Sequence, residues 1–231
     1  MLDSKSQAFV FSVDELGNFL VIGADELVIG HARGAGVDLP FLADVGREHA
    51  RLVRKLSFRG GISWSIVALR GERVLVGGEP CAEEGTQLAN GDLVQLGVNL
   101  VFRYAHPDPA STTAVLELER GADCLGTGAI VLLGEGEPGA LRLGAGSTCH
   151  LRSGILKGEL RLTRWPEGLA LEGDELERFH ASSSESGQLE PDAEGRLKLS
   201  TPLVGRVDLQ IGPATESDPP FGVALSPQPA L

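Results

Sequence analysis

Apolar and polar residues alternate with a period of two along most of the chain, the signature of β-strands with one face buried. The first half carries it in FLVIG (19–23), DELVIG (25–30), HARLVR (49–54), SWSIVAL (63–69), RVLVGG (73–78), GDLVQLG (91–97) and NLVFRY (99–104). Turn residues separate these runs. RGGIS (59–63) reads as a hairpin tip, and ANGD (89–92) holds the Asn-Gly pair that supplies positive φ in a tight turn. The same alternation returns in AVLELER (114–120), AIVLLG (129–134), ALRLG (140–144), CHLRSG (149–154), ELRLTRW (159–165), GLALEG (168–173), GRLKLS (195–200) and GRVDLQIG (205–212). Both halves are therefore expected to be all-β.

Between them AHPDPASTT (105–113) packs prolines and small polar residues where no strand ladder continues, which places a linker at 106–112. The expected organisation is a β domain at 10–105 and a second small β domain at 113–213. PATESDPPFGVALSPQPAL (213–231) contains five prolines, so residues 214–231 are expected to form an extended or disordered Pro-rich tail. A faint internal repeat aligns ARLVR (50–54) with LRLTR (160–164) and LVIGHARGAGVDLP (27–40) with LRLGAGSTCHLRS (141–153). A duplicated topology and chance similarity between short alternating strands both explain it.

Charge narrows the partners. Of a formal net charge of -12, residues 1–105 carry -3 and residues 106–231 carry -9, a field that repels nucleic-acid backbones and anionic membranes. Nucleic acid and membrane are accordingly not expected as partners. No signal-peptide core or bilayer-length apolar run is present, so a cytoplasmic protein is expected. Cys81, Cys124 and Cys149 are odd in number and lack a CxxC pair, which indicates reduced, buried thiols and neither a disulfide framework nor a metal site.

An ordered set of motifs spans about 80 residues. Val28-Ile29-Gly30-His31 is followed by Val37-Asp38-Leu39-Pro40, then Val45-Gly46-Arg47-Glu48-His49-Ala50, Val76-Gly77-Gly78, and Leu88 to Gly97 with Asn90-Gly91-Asp92 inside. This pattern resembles the forkhead-associated (FHA) family. The resemblance implies an FHA-type antiparallel β-sandwich that binds a phosphothreonine peptide or another protein through loops at one end. On the matching positions the peptide-binding residues are His31, Arg33, Gly46, Arg47, Arg70, Glu72, Arg73 and Gly77. His49 matches the family's histidine that fixes the neighbouring loop.

The chain departs from the family at the phosphate donors. His31 stands where the family has Arg, Gly46 where it has Ser, Arg70-Gly71-Glu72-Arg73 where it has Ser-x-Asn-Gly, and Gly77 where it has Asn. A phosphate is best met by guanidinium and short hydroxyl or amide donors. Recognition is therefore expected to be weakened or altered, with Arg33, Arg47, Arg70 and Arg73 supplying the remaining positive potential. The alternative is a phosphate-independent structural component of a multiprotein assembly, such as a bacterial secretion apparatus. In the second half Ala145 occupies the place of the phosphate Arg, so that domain is either a degenerate FHA-like unit or another small β domain.

Other chemistry is set aside. GEGEPG (134–139) matches G-x-G-x-x-G, but a strand and not a helix follows it. His180 with Ser182 to Ser184 reads as a polar loop, and Cys149-His150 as neighbours pointing to opposite strand faces. Arg51, Arg54, Lys55 and Arg59 form either a solvated strand face or a basic docking strip. No catalytic residue, cofactor or metal is expected, and the chain reads as an interaction adaptor and not an enzyme.

Overall fold

A computed structural model describes residues 7–56, 62–120, 127–154, 156, 158–166, 168–173, 179–183, 187–190, 192, 196–199, 206–211 and 221–227. Twenty-two strands lie among these residues, and their pairing divides them into two series of eleven. The first series is β1 (Gln7–Val13), β2 (Gly17–Gly23), β3 (Glu26–His31), β4 (Leu39–Phe41), β5 (Ala50–Leu56), β6 (Ile62–Ala68), β7 (Val74–Val76), β8 (Glu79–Pro80), β9 (Thr86–Gln87), β10 (Leu93–Leu96) and β11 (Leu100–Ala105). The second is β12 (Ala114–Arg120), β13 (Ala129–Leu132), β14 (Leu141–Gly144), β15 (Leu151–Arg152), β16 (Leu160–Trp165), β17 (Gly168–Gly173), β18 (Phe179–Ser183), β19 (Gly187–Leu189), β20 (Leu197–Leu199), β21 (Val207–Ile211) and β22 (Phe221–Pro227).

The two series pair alike. One small sheet has the order β4-β3-β5-β6-β9 and the other β15-β14-β16-β17-β20, so strands eleven apart in number occupy the same place. Even the unusual parallel pair recurs, with Ile29 beside Leu39 in one sheet and Leu143 beside Leu151 in the other. The ARLVR and LRLTR runs fall on the equivalent strands β5 and β16. Duplicated topology, and not chance, accounts for the faint repeat.

The remaining twelve strands form one continuous sheet in the order β19-β18-β21-β22-β1-β2-β13-β12-β11-β10-β7-β8. Its two ends are again equivalent, but the hairpins are exchanged. β1 pairs with β22, the last strand of the second series, while β12 pairs with β11, the last strand of the first. The parallel pair β2–β13 joins the two parts, with Leu20 beside Ile130 and Ile22 beside Leu132.

Packing explains why β2 and β13 are apolar at nearly every position. Leu20, Ile22, Ile130 and Leu132 face one core, where they meet Leu27, Ile29, Leu52 and Ile66 of the first small sheet. Val21, Ala129 and Val131 face the other, with Leu141, Leu143, Leu160 and Leu171 of the second small sheet. The shared sheet is thus covered on both faces, which demands continuous apolar runs in place of alternation. Each large aliphatic side chain so buried contributes about 1.5–3 kcal/mol from removal from water alone.

Three expectations need correction. The stretch 214–231 is not wholly a tail: Phe221–Pro227 forms β22, with Val223 and Leu225 buried beside Phe11 and Val13 of β1. Prolines on either side hide a short apolar alternation that only the β1 partner reveals. ANGD does turn, with Gly91 at φ 93°, yet it closes no hairpin, because β9 and β10 belong to different sheets. Residues 179–183 form β18 between β21 and β19 and not a polar loop, whereas Ser184 lies outside the described residues.

The hairpin tip around Arg59 and Cys124 also lie outside the described residues. Cys81 and Cys149 are free thiols, the first half-buried and the second buried. Residues 106–112 run from β11 to its partner β12 and are tied down locally. The Asn90 side-chain oxygen accepts the His106 N–H at 2.7 Å, and the Pro138 carbonyl accepts the Thr112 N–H at 2.7 Å.

Candidate functional site

The family-like motifs converge on the ring of His49, which is 1 % exposed. The Gly46 N–H donates to its Nδ1 at 2.9 Å, and its Nε2 meets the Arg73 carbonyl at 3.0 Å and the Gly97 N–H at 3.1 Å. The Gly97 N–H reaches the same carbonyl at 3.1 Å. One imidazole therefore holds together the β4–β5, β6–β7 and β10–β11 loops. The histidine acts as a fastener, as the resemblance implies, and both nitrogens are occupied by that task.

The glycines of the motif follow from close backbone approach. A Cβ on Gly30 or Gly34 would collide with the Arg47 carbonyl, and one on Gly97 with the Asp44 carbonyl. Asp38 fixes the base of the β3–β4 loop, its Oδ2 accepting the Val28 N–H at 2.8 Å. His31 is turned into its own loop: its Nδ1 accepts the Arg33 N–H at 3.1 Å, and its main-chain N–H donates to the Gly46 carbonyl at 2.9 Å.

Gly46 and Glu72 form the main departure from a phosphate cradle. A Cβ on Gly46 would run into the Glu72 carboxylate, whose Oε2 is 3.3 Å from His49 Nδ1. The place a serine side chain would take at residue 46 is filled by an internal anion. Arg70, at φ 53°, points its guanidinium to Glu48 Oε2 at 2.8 Å. Arg33, Arg47 and Arg73 are exposed and have no carboxylate partner among the described residues.

Seven of the eight candidate residues are thus linked through the His49 loops. Gly77 is not. It sits at the far end of β7 from Arg73, in a turn with Gly78 where both have positive φ, and its N–H donates to the Leu93 carbonyl at 2.9 Å. That position serves the β7–β8 turn.

Sequence reading missed two residues of this surface. Leu42 is 78 % and Val98 65 % exposed, on the two loops that meet where Gly97 touches Asp44. Each lies in a short segment without alternation, and only the loop contact brings them to one end of the sandwich.

Of the basic strip, Arg51 and the largely buried Arg54 are each paired with a carboxylate, and Arg59 lies outside the described residues. Arg51 pairs with Glu26 at 3.2 Å, Arg54 pairs with Asp25, and the Arg54 guanidinium lies 6.0 Å from the Trp64 ring centre. GEGEPG is a packed turn: Thr113 Oγ1 accepts the Gly134 N–H at 2.8 Å and donates to the Gly139 carbonyl at 2.6 Å. Cys149 and His150 lie in the turn before β15, each with a different neighbour. The thiol approaches Glu159, and burial first and Glu159 second push its pKa up. His150 Nδ1 accepts the Arg142 N–H at 3.1 Å.

No group of three His, Cys, Asp or Glu side chains among the described residues is placed to hold a metal ion. No helix among them is long and apolar enough to cross a membrane. The loop end offers guanidinium groups, main-chain polar groups and two apolar side chains on a fixed frame, a set suited to docking.

No family model matches the chain, and no curated protein matches it. A solved structure named "Rv0020c_FHA Structure" is similar at 21 % identity, covering 42 % of this chain and 91 % of that one, with a TM-score of 0.26. The chain is all-β, and its strand order and loop geometry are those described above.

Proposed function

We propose that this protein is a non-enzymatic interaction adaptor of FHA type, with units corresponding to 10–105 and 113–213, that docks another protein through the His49-centred loops. Two free thiols, Cys81 and Cys149, agree with a reducing, cytoplasmic setting. Phosphate is not required for docking. The observation that carries this reading is the Glu72 carboxylate in the space beside Gly46. A phosphothreonine brought there meets a like charge and finds neither a hydroxyl at residue 46 nor an Arg at residue 31.

Phosphothreonine recognition by substitute donors is the second reading, favoured by the exposed Arg33, Arg47 and Arg73. Fluorescence anisotropy of the full chain with degenerate peptide libraries, phosphorylated and unphosphorylated, separates the two. Binding that is insensitive to phosphate supports the first. Strict phosphate dependence, weakened by about 1.5–3 kcal/mol in Arg47→Ala, overturns it.

A further inference from the structure

The loop end has an electrostatic peculiarity in this acidic chain. Arg51, Arg54, Arg103 and Arg142 each face a carboxylate. Arg33, Arg47 and Arg73 do not, although the chain has 32 acidic against 20 basic residues. Of the acids on these loops, Glu48 pairs with Arg70 and Glu72 lies against His49, while Asp44 is exposed on the β4–β5 loop. Exposed ion pairs stabilise little, so leaving these arginines unpaired costs the fold almost nothing while it concentrates positive potential on one surface.

The fold brings their backbones together. Gly34, next to Arg33, packs on the Arg47 carbonyl, and the Arg73 carbonyl is held by the same His49 that holds Gly46. Leu42, on the loop of Arg47, and Val98, on the loop of Gly97, are two of the three large apolar side chains exposed among the described residues, and those two loops meet where Gly97 touches the Asp44 carbonyl. Exposed apolar side chains on the same loop cluster as unpaired cations are the composition of a contact patch.

Resting on the reading that these loops dock a protein, we infer that the ligand is an unphosphorylated acidic segment of a partner protein. Its Asp or Glu carboxylates meet Arg47 and Arg73, with Arg33 at the margin. An aliphatic or aromatic side chain of the same segment covers Leu42 and Val98. Carboxylates suit this surface better than phosphate because a guanidinium alone satisfies them, without the Ser and Arg that positions 46 and 31 lack.

The test titrates the full chain with three labelled peptide pools by fluorescence anisotropy. One is rich in Asp and Glu around a Leu, Ile, Val or Phe; the second replaces every acid by its amide; the third carries phosphothreonine. The expected result is micromolar binding of the acidic pool. It weakens at least tenfold in Arg47→Glu/Arg73→Glu and in Leu42→Asp, and weakens as salt rises from about 50 to about 300 mM. Matching thermal melts of the variants establish that folding is intact.

Equal binding of the acidic and amide pools, still sensitive to Leu42→Asp, overturns the acidic ligand and leaves the docking reading standing. Preference for the phosphothreonine pool overturns both the acidic ligand and the phosphate-free reading. Silence of all three pools overturns the docking reading itself. Sedimentation of the protein alone completes the test: self-association abolished by Arg47→Glu makes the occupant a second copy and overturns the partner segment.

Discussion

Arg164 of β16 donates from Nη1 to the Gly23 carbonyl at 3.0 Å, at the point where β2 leaves the shared sheet. The two residues are 141 positions apart, and a Cβ on Gly23 would press on Arg164 Cδ at 2.7 Å. Burial holds the guanidinium's pKa below its ordinary value, opposed by Glu135. Arg164→Met leaves the Gly23 carbonyl without this donor and is expected to lower stability by about 1–3 kcal/mol. Urea unfolding of the full chain reads the loss. Gly23→Ala should destabilise in the same direction, because it displaces the same side chain.

The exchanged hairpins make the two series interdependent. Cutting the chain within 106–112 separates β12 from β11 and β1 from β22, so each fragment loses a hairpin that closes its sheet. Fragments 1–112 and 113–231 are each expected to lack dispersed amide NMR spectra and to regain them on mixing. Independent folding of either fragment would show that the exchange is dispensable. Truncation before Phe221 should also be costly, since it strips Val223 and Leu225 from the core.

His150 makes stability depend on pH. Burial first, then the neighbouring Arg142 and His106, push its pKa down to about 4, against the opposing pull of Asp108. The native state therefore binds fewer protons than the unfolded chain between pH 6.5 and that value, and stability falls as pH drops through this window. The loss approaches about 3 kcal/mol at its lower end. Urea midpoints at pH 7, 6 and 5 should decline for the native sequence. His150→Gln should flatten the decline; an unchanged slope would assign the effect to other groups.

Introducing the phosphate donors of the FHA pattern tests whether the loops can form an anion cradle. Gly46→Ser alone displaces only the end of the half-exposed Glu72 side chain, so its stability cost should stay within about 1 kcal/mol. The triple variant His31→Arg/Gly46→Ser/Glu72→Asn is expected to bind phosphothreonine peptides at least tenfold more tightly than their unphosphorylated forms. Anisotropy titration of the full chain reads it. A folded triple variant indifferent to phosphate would mean that the loops do not converge as a cradle.

Much of this molecule is legible from local pattern. Period-two alternation marks strands because side chains alternate between sheet faces, so runs such as VLV at β7 and LVFRY at β11 declare themselves. The loop motifs are legible for a related reason. Gly30, Asp38 and His49 answer short-range demands of backbone approach and hydrogen bonding, and those demands leave fixed residue types at fixed spacing.

Pairing between distant strands is another matter. Nothing local to β1 tells whether it joins β11 or β22, because antiparallel neighbours of similar alternation are interchangeable until a core selects one. The decision rests with Phe9, Phe11 and Val13, whose place is in the core of the second series. The same holds at the site. The arginines were visible as residues, but that Glu72 fills the space beside Gly46, and that the loops of Leu42 and Val98 meet, follows from loops brought together across the sandwich. Short-range chemistry determined the elements and the loop residues; long-range burial alone determined which elements met, and so what the loop end presents to a partner.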